Sequence, residues 1–420
     1  MTRKTHIHAS DLRGYGRLAI DATIGLTRVV ETMHHNLLRA PGVFGTATHE
    51  PAAGLTGMVY RTIRGVTRLV GGGVDALLAQ LLPAIYPDAR PAQEPVHPCM
   101  EFPNRPTSSS EREAVLAALN GVLGDHLAAS GNPLAIPMRL RCDGAPLELS
   151  TPALAAAIPQ PSGKILLLAH GLCMNDLQWR RKGHDHGAAL AADAGYTPVY
   201  LHYNSGLHIS SNGRACADLI EQLVQAWPVP VESVAILGHS MGGLVTRSAC
   251  HYGQLAGHAW LRQLRKIVFL GTPHRGAPLE RSGNWLDALL DSSPYTAAFS
   301  RLGKIRSAGI TDLRHGSLLH EDWQDRDRFA SAHDQRHVVA WPPGVKCYAL
   351  AASIARSSGT AEQPLPGDGL VPVDSALGLD VQGDGKPGIA KSRQWIGYGM
   401  HHLDLLDRSD VYAQIKAWLG

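Results

Sequence analysis

The hydrophobic pattern changes character once along the chain. From residue 10 to residue 83 the apolar positions show no strand patterning and predict two long amphipathic helices. Pro41-Gly42 and Pro51 separate them. Gly71-Gly72-Gly73 is expected to break the second, because each glycine inside a helix costs about 1 kcal/mol relative to alanine. Residues 87–110 are rich in proline and serine and read as a connector. A third helix is expected from Glu111, with Ser110 and Glu113 forming a Ser-x-x-Glu capping box and Gly131-Asn132-Pro133 stopping it.

From Met138 the periodicity becomes that of strands. Residues 138–142 and 147–149 flank Asp143-Gly144, a hairpin signal. Short continuous apolar runs then alternate with helical stretches, at residues 165–168, 199–201, 234–237, 267–270, 345–350 and 395–396. Runs of this kind predict a mostly parallel sheet covered by helices on both faces, an α/β fold. Residues 280–341 hold helical pieces but no strand, and are expected to be an insertion that caps the carboxyl edge of the sheet. The expected organisation is therefore an N-terminal helical region with its connector over 1–130 and an α/β domain over 138–420.

Composition narrows the classes. With 44% hydrophobic and 18% charged residues the chain has an ordinary globular mix, which sets aside disorder and fibrous folds. A formal charge of +3, with few aromatics and none interleaved with a basic run, lacks the positive field of a nucleic-acid binder. The six cysteines are scattered, with no C-x-x-C pair, as in a reduced protein. Met1-Thr2-Arg3-Lys4 runs into polar residues and not into an apolar signal region, and no stretch approaches the roughly 18 apolar residues of a membrane span. A cytoplasmic location is expected.

One motif carries chemistry. The apolar run 234–237 leads directly into Gly238-His239-Ser240-Met241-Gly242 and then into a helical stretch, which is G-x-S-x-G between a strand and a helix. Such a turn brings backbone segments too close for side chains at the two glycines and lifts the serine hydroxyl to the positive end of the helix. A serine nucleophile needs a base, since its free hydroxyl is hardly ionised at neutral pH. His402 lies beyond the last apolar run, with His401 as its competitor. The orienting carboxylate should fall between serine and histidine in chain order, and Asp368 in Pro366-Gly367-Asp368-Gly369 meets this, ahead of Asp374 and Asp404. Oxyanion donors are expected from the backbone N–H groups of Met241 and of Leu172, the latter in His170-Gly171-Leu172 after the first long parallel strand. His170 is expected to orient that loop. His184-Asp185-His186, near His202 and His208, reads as chance clustering among 22 histidines and no metal site is assigned. Asp312 and Arg314 read as a surface ion pair.

These elements, with Gly271-Thr272-Pro273-His274-Arg275-Gly276, Asp368-Gly-Leu-Val-Pro and His402-Leu403-Asp404, stand in the order seen in bacterial lipases and related α/β-hydrolases. The set also resembles the lipase-like branch near the GPI-inositol-deacylase family. The resemblance spans about residues 138–420 and implies an eight-stranded, mostly parallel sheet, a mobile cap, no catalytic cofactor and a carboxylester substrate with an apolar acyl chain. Some such lipases hold a structural calcium, and no acidic cluster here suits one. The same triad would also serve a thioesterase or an acyltransferase, and a non-catalytic membrane-associated scaffold is the remaining alternative. Arg61, Arg64 and Arg68 share one helical face, so the second helix suits either contact with an anionic membrane or packing on the hydrolase domain.

Overall fold

The computed structural model describes residues 9–38, 54–85, 109–277, 307–324, 336–357, 365–379 and 388–420. The expected connector, up to residue 108, and most of the expected insertion lie outside these residues. The chain divides into two compact units: residues 1–112 with 129–134, and residues 113–128 with 135–420.

In the first unit, α1 (Ala9–Leu38) and α2 (Gly54–Ile85) form a helical hairpin. Here α2 continues through Gly71, Gly72 and Gly73, contrary to the expected break. The reason is a close helix crossing. A Cβ on Gly71 would lie 2.4 Å from Ile20 Cδ1, so α1 occupies the space a side chain would need. Ion pairs hold the same seam. Arg13 and Arg17 reach the Asp75 carboxylate at 2.7 and 2.6 Å, and their hydrogen bonds hold it well below the usual carboxylate range. Arg64 pairs with Glu31.

The third helix, α3 (Ser110–Ala129), is capped by Ser109, whose Oγ accepts from Arg112 N at 3.2 Å. The expected Ser110–Glu113 box is displaced by one residue, because Glu113 is drawn to Arg141 at 3.0 Å. Residues 113–128 of α3 group with the sheet unit.

That unit is built on strands β1 (Arg139–Cys142), β2 (Ala145–Pro146), β3 (Lys164–Ala169), β4 (Thr197–His202), β5 (Ser233–His239), β6 (Leu264–Leu270), β7 (Lys346–Ser353) and β8 (Gln394–Tyr398), in the order β2-β1-β4-β3-β5-β6-β7-β8. The β1–β2 hairpin turns at Asp143 and Gly144, both at positive φ, as a two-residue turn requires. β1 runs antiparallel to β4, and β4 through β8 are parallel. Successive residues of the central strands enter opposite cores. Ile165 and Leu167 join Val234, Ile236 and α6 (Ile209–Ala226) with α7 (Met241–Ala256), while Leu166 and Leu168 join Leu237, α5 (His186–Ala194) and the C-terminal helix Ser409–Leu419. Each fully buried aliphatic side chain contributes roughly 1.5–3 kcal/mol. Covering both faces is why the runs are continuously apolar. No described helix is long and apolar enough to cross a membrane. The five described cysteines are free thiols.

Candidate active site

Ser240 stands alone between the end of β5 at His239 and the start of α7 at Met241, with φ 53° and ψ −124°. A non-glycine residue in such backbone costs on the order of 1–3 kcal/mol and persists only where its surroundings dictate it. They do so here. Ser240 N donates to Leu270 O of the neighbouring strand at 2.8 Å. A Cβ on Gly238 would lie 2.7 Å from Gly243 Cα, and one on Gly242 would lie 2.1 Å from Ala169 O. Both glycines are thus demanded by backbone contact, as the motif predicts.

β7 and β8 bring in the other two residues. Ser353 Oγ, at the end of β7, donates to Pro366 O at 2.6 Å and anchors the following loop. Within that loop Asp368 Oδ1 accepts from Leu370 N (2.9 Å) and Val371 N (2.8 Å), a turn built on its own side chain. One carboxylate oxygen is therefore held by the backbone, and the other, Oδ2, lies 2.6 Å from His402 Nδ1. The backbone doubles the link, His402 N donating to Asp368 O at 3.2 Å. Both side chains are buried. His402 Nε2 is buried as well and has no hydrogen-bond partner among the described residues. The competing residues lie elsewhere: His401 is exposed, and Asp404 Oδ2 caps His401 N at 2.9 Å.

The loop after β3 lies against the elbow. A Cβ on Gly171 would lie 3.1 Å from Ser240 Cβ and 3.2 Å from His239 Nδ1. Leu172 N makes no hydrogen bond among the described residues, and Met241 N, at the first helical position of α7, precedes the intrahelical ladder. Next to Leu172, Cys173 sits at φ 58°, its N–H donating to Ser205 Oγ at 3.1 Å. Helix α3 braces the loop after β3 and the loop after β4. A Cβ on Gly121 would lie 2.2 Å from Cys173 Sγ, and one on Gly124 1.8 Å from Asn204 Oδ1. Sequence reasoning missed Ser205 and α3 here. The glycines at 121 and 124, spaced three apart inside a helix, were the available signal.

Residues 160–342 match the family described as PGAP1-like alpha/beta domain. The sheet body has the α/β-hydrolase fold. None of the curated proteins matches the sequence. Among solved structures, the mature form of Bacillus licheniformis lipase BlEst2 aligns at 16% identity and TM-score 0.40, covering 67% of this chain and 98% of its own. Aspergillus fumigatus lipase B aligns at 11% identity and TM-score 0.37, covering 81% and 66%. A thermophilic esterase from Thermogutta terrifontis aligns at 11% identity and TM-score 0.35, covering 62% and 90%.

Burial disfavours the charged form of four histidines of the sheet unit, His170, His186, His239 and His274. His170 stacks on Tyr203 at 4.3 Å between ring centroids, Tyr203 OH donates to His170 O at 2.8 Å, and burial pushes its imidazole down to about 3. Its Nδ1 lies 2.9 Å from Gly171 O, within the same loop. His239 lies 4.7 Å from His402, ring to ring, and burial, with the charge of His402 next, lowers it far below its ordinary value. His184 Nε2 meets His186 Nδ1 at 2.8 Å, and His186 Nε2 lies 2.9 Å from Leu405 O, so both rings are engaged with protein. Among the described residues no group of three metal-ligating side chains forms. Asp312 corrects the sequence reading. It is buried and not on the surface, its Oδ2 taking His208 Nδ1 at 3.0 Å and Ile209 N at 2.9 Å at the start of α6.

Proposed function

We propose that this chain is a serine carboxylic-ester hydrolase in which Ser240 is the nucleophile, His402 the general base, Asp368 its orienting carboxylate, and the N–H groups of Leu172 and Met241 the oxyanion donors. The observation that carries this reading is the buried Asp368–His402 pair at 2.6 Å, whose outer ring nitrogen is left unpartnered. With Oδ1 tied to two backbone N–H groups, Oδ2 accepts the Nδ1 proton. That tautomer leaves a lone pair on Nε2.

In the proposed cycle Ser240 Oγ attacks the ester carbonyl as its proton passes to His402 Nε2. The imidazolium is stabilised by Asp368, and the carbonyl oxygen, now negative, is held by the two backbone donors. The C–O bond to the alcohol breaks as His402 returns its proton to the leaving oxygen. Water, deprotonated by His402, then cleaves the acyl-serine ester and releases the acid. The order of sequence motifs over residues 138–420, which resembles that of bacterial lipases, supports an apolar acyl chain. A hydrolysis profile over acyl length, with ester and thioester substrates and an added alcohol acceptor, sorts hydrolysis from acyl transfer.

A fluorophosphonate probe tests the assignment. Its expected adduct is on the peptide carrying Ser240, and Ser240→Ala should lose labelling and lower kcat by on the order of 10⁶. An adduct on another serine, or turnover surviving in Ser240→Ala, discards the reading.

A further inference from the structure

Leu172 sits inside a tight turn whose two flanking peptides are both tied down. Gly171, Leu172, Cys173 and Met174 form a β-turn closed by Met174 N, which donates to Gly171 O at 3.4 Å. Its third residue, Cys173, has φ 58°, the sign that a type II turn demands there and that glycine or asparagine ordinarily supplies. A cysteine carries a Cβ into that region. The turn by itself therefore favours the alternative in which the central peptide is flipped and φ at Cys173 is negative.

Two side chains hold the observed form. His170 Nδ1 donates to Gly171 O at 2.9 Å and fixes the peptide that carries the Leu172 N–H. Ser205 Oγ accepts from Cys173 N at 3.1 Å and fixes the next peptide. Between these ties the Leu172 N–H makes no hydrogen bond among the described residues. Ser205 is itself buried and held through its neighbour. Asn204 Nδ2 donates to Gly124 O at 2.9 Å, Asn204 Oδ1 accepts from Gly206 N at 3.0 Å, and Asn204 O accepts from Asn212 Nδ2 at 3.0 Å. The hydroxyl is thus presented from a fixed loop. Without it Cys173 N would be a buried donor with no acceptor, a cost the turn relieves by moving.

We propose that, given ester hydrolysis at Ser240, Ser205 is a positioning residue for that reaction. By accepting from Cys173 N it keeps the 171–174 turn in the form that aims the Leu172 N–H at the oxyanion. Its effect is expressed where the carbonyl oxygen becomes negative, in the transition state, and not in ground-state binding.

The test is steady-state kinetics on a short soluble ester, with competent sites counted by fluorophosphonate labelling run to completion. A trifluoromethyl ketone probes the oxyanion directly. Ser240 Oγ adds to its carbonyl carbon while the hydroxyl proton passes to His402, leaving a hemiketal with a negative oxygen, so its inhibition constant follows oxyanion stabilisation. Ser205→Ala is expected to lower kcat per labelled site about thirtyfold, less than the roughly 10²–10³-fold loss of a whole donor, with KM within about twofold. The inhibition constant for the ketone should rise by a similar factor. Ser205→Thr keeps the oxygen and should bring both to within about fivefold of the parent. A purely structural part would reduce the number of labelled sites and leave kcat per site, KM and the ketone unchanged. That result overturns the proposal, as does a Ser205→Ala chain whose KM rises with kcat intact. Failure of the catalytic assignment shows separately, as a parent whose adduct maps to a serine other than Ser240.

Discussion

Ser240 is held in strained backbone by hydrogen bonds and glycine contacts from three chain segments, so its position belongs to the surroundings more than to the residue. Asp368 is fixed differently, by closing a turn onto its own carboxylate. The two nearest competitors lie elsewhere: Asp404 caps the turn that carries His402, and Asp374 is the second residue of the helical turn Val373–Ala376. Asparagine at 368 would still accept from Leu370 and Val371, but would present the wrong group or tautomer to His402. Asp368→Asn is therefore expected to lower kcat about 10⁴-fold. Asp374→Asn and Asp404→Asn should stay within a few-fold of the parent. Steady-state kinetics on a short soluble ester decide, and a collapse confined to a rival position would move the carboxylate to another loop.

At the scale of elements, α3 is the unexpected partner. Gly121 and Gly124 let it approach the loop after β3 and the loop after β4 closely enough that Cys173 and Asn204 touch its backbone. Ser307 Oγ donates to Gly121 O, and Ala308 N donates to Asp125 Oδ2 at 3.0 Å, so the helix Ala308–His315 starts from the same platform. Gly121→Ala would drive its methyl group into Cys173 Sγ, which sits one residue beyond the proposed donor Leu172. Overpacking of this kind costs typically 1–3 kcal/mol. We expect Gly121→Ala to lower kcat by about tenfold or more with KM little changed, since a shifted oxyanion donor acts on the transition state. Adding Cys173→Ala should restore part of both stability and kcat. Equal kcat in the single variant, in a folded protein, would separate α3 from the oxyanion loop.

At the scale of the molecule, the buried histidines set a pH dependence. Burial holds His170 at about 3 and His186 at about 4, and lowers His239 and His274 well below their ordinary value of 6.5. Below pH 6.5 an unfolded chain takes up protons that these rings refuse when folded. Stability therefore rises with pH through this window and falls as pH drops from about 6.5 towards 4, and for His170 on to about 3. Each such ring contributes a slope of up to about 1.4 kcal/mol per pH unit. Thermal unfolding between pH 7.5 and 4.5, roughly the span over which an unfolded histidine titrates, should show Tm decreasing on acidification. His170→Gln should flatten the curve whatever its effect at neutral pH. An unchanged slope in that variant would mean that His170 titrates alike in both states.

The parallel sheet, the hairpin at Asp143-Gly144, the strand-to-helix turn at Ser240 and the pairing of Asp368 with His402 were legible in the sequence. Each is a local signal: an apolar run, a turn dipeptide, two glycines demanded by one tight bend. Other features depend on residues distant in sequence that only the folded chain brings together. Neighbours in sequence as close as His401 and His402 part company because only one faces Asp368. Glu113 leaves its cap for Arg141, Asp312 is buried at the start of α6, and α2 runs through three glycines because Ile20 fills the space beside the first. The propensity of a short segment is a matter of about 1 kcal/mol per residue, and a single buried contact or ion pair from another part of the chain can outweigh it.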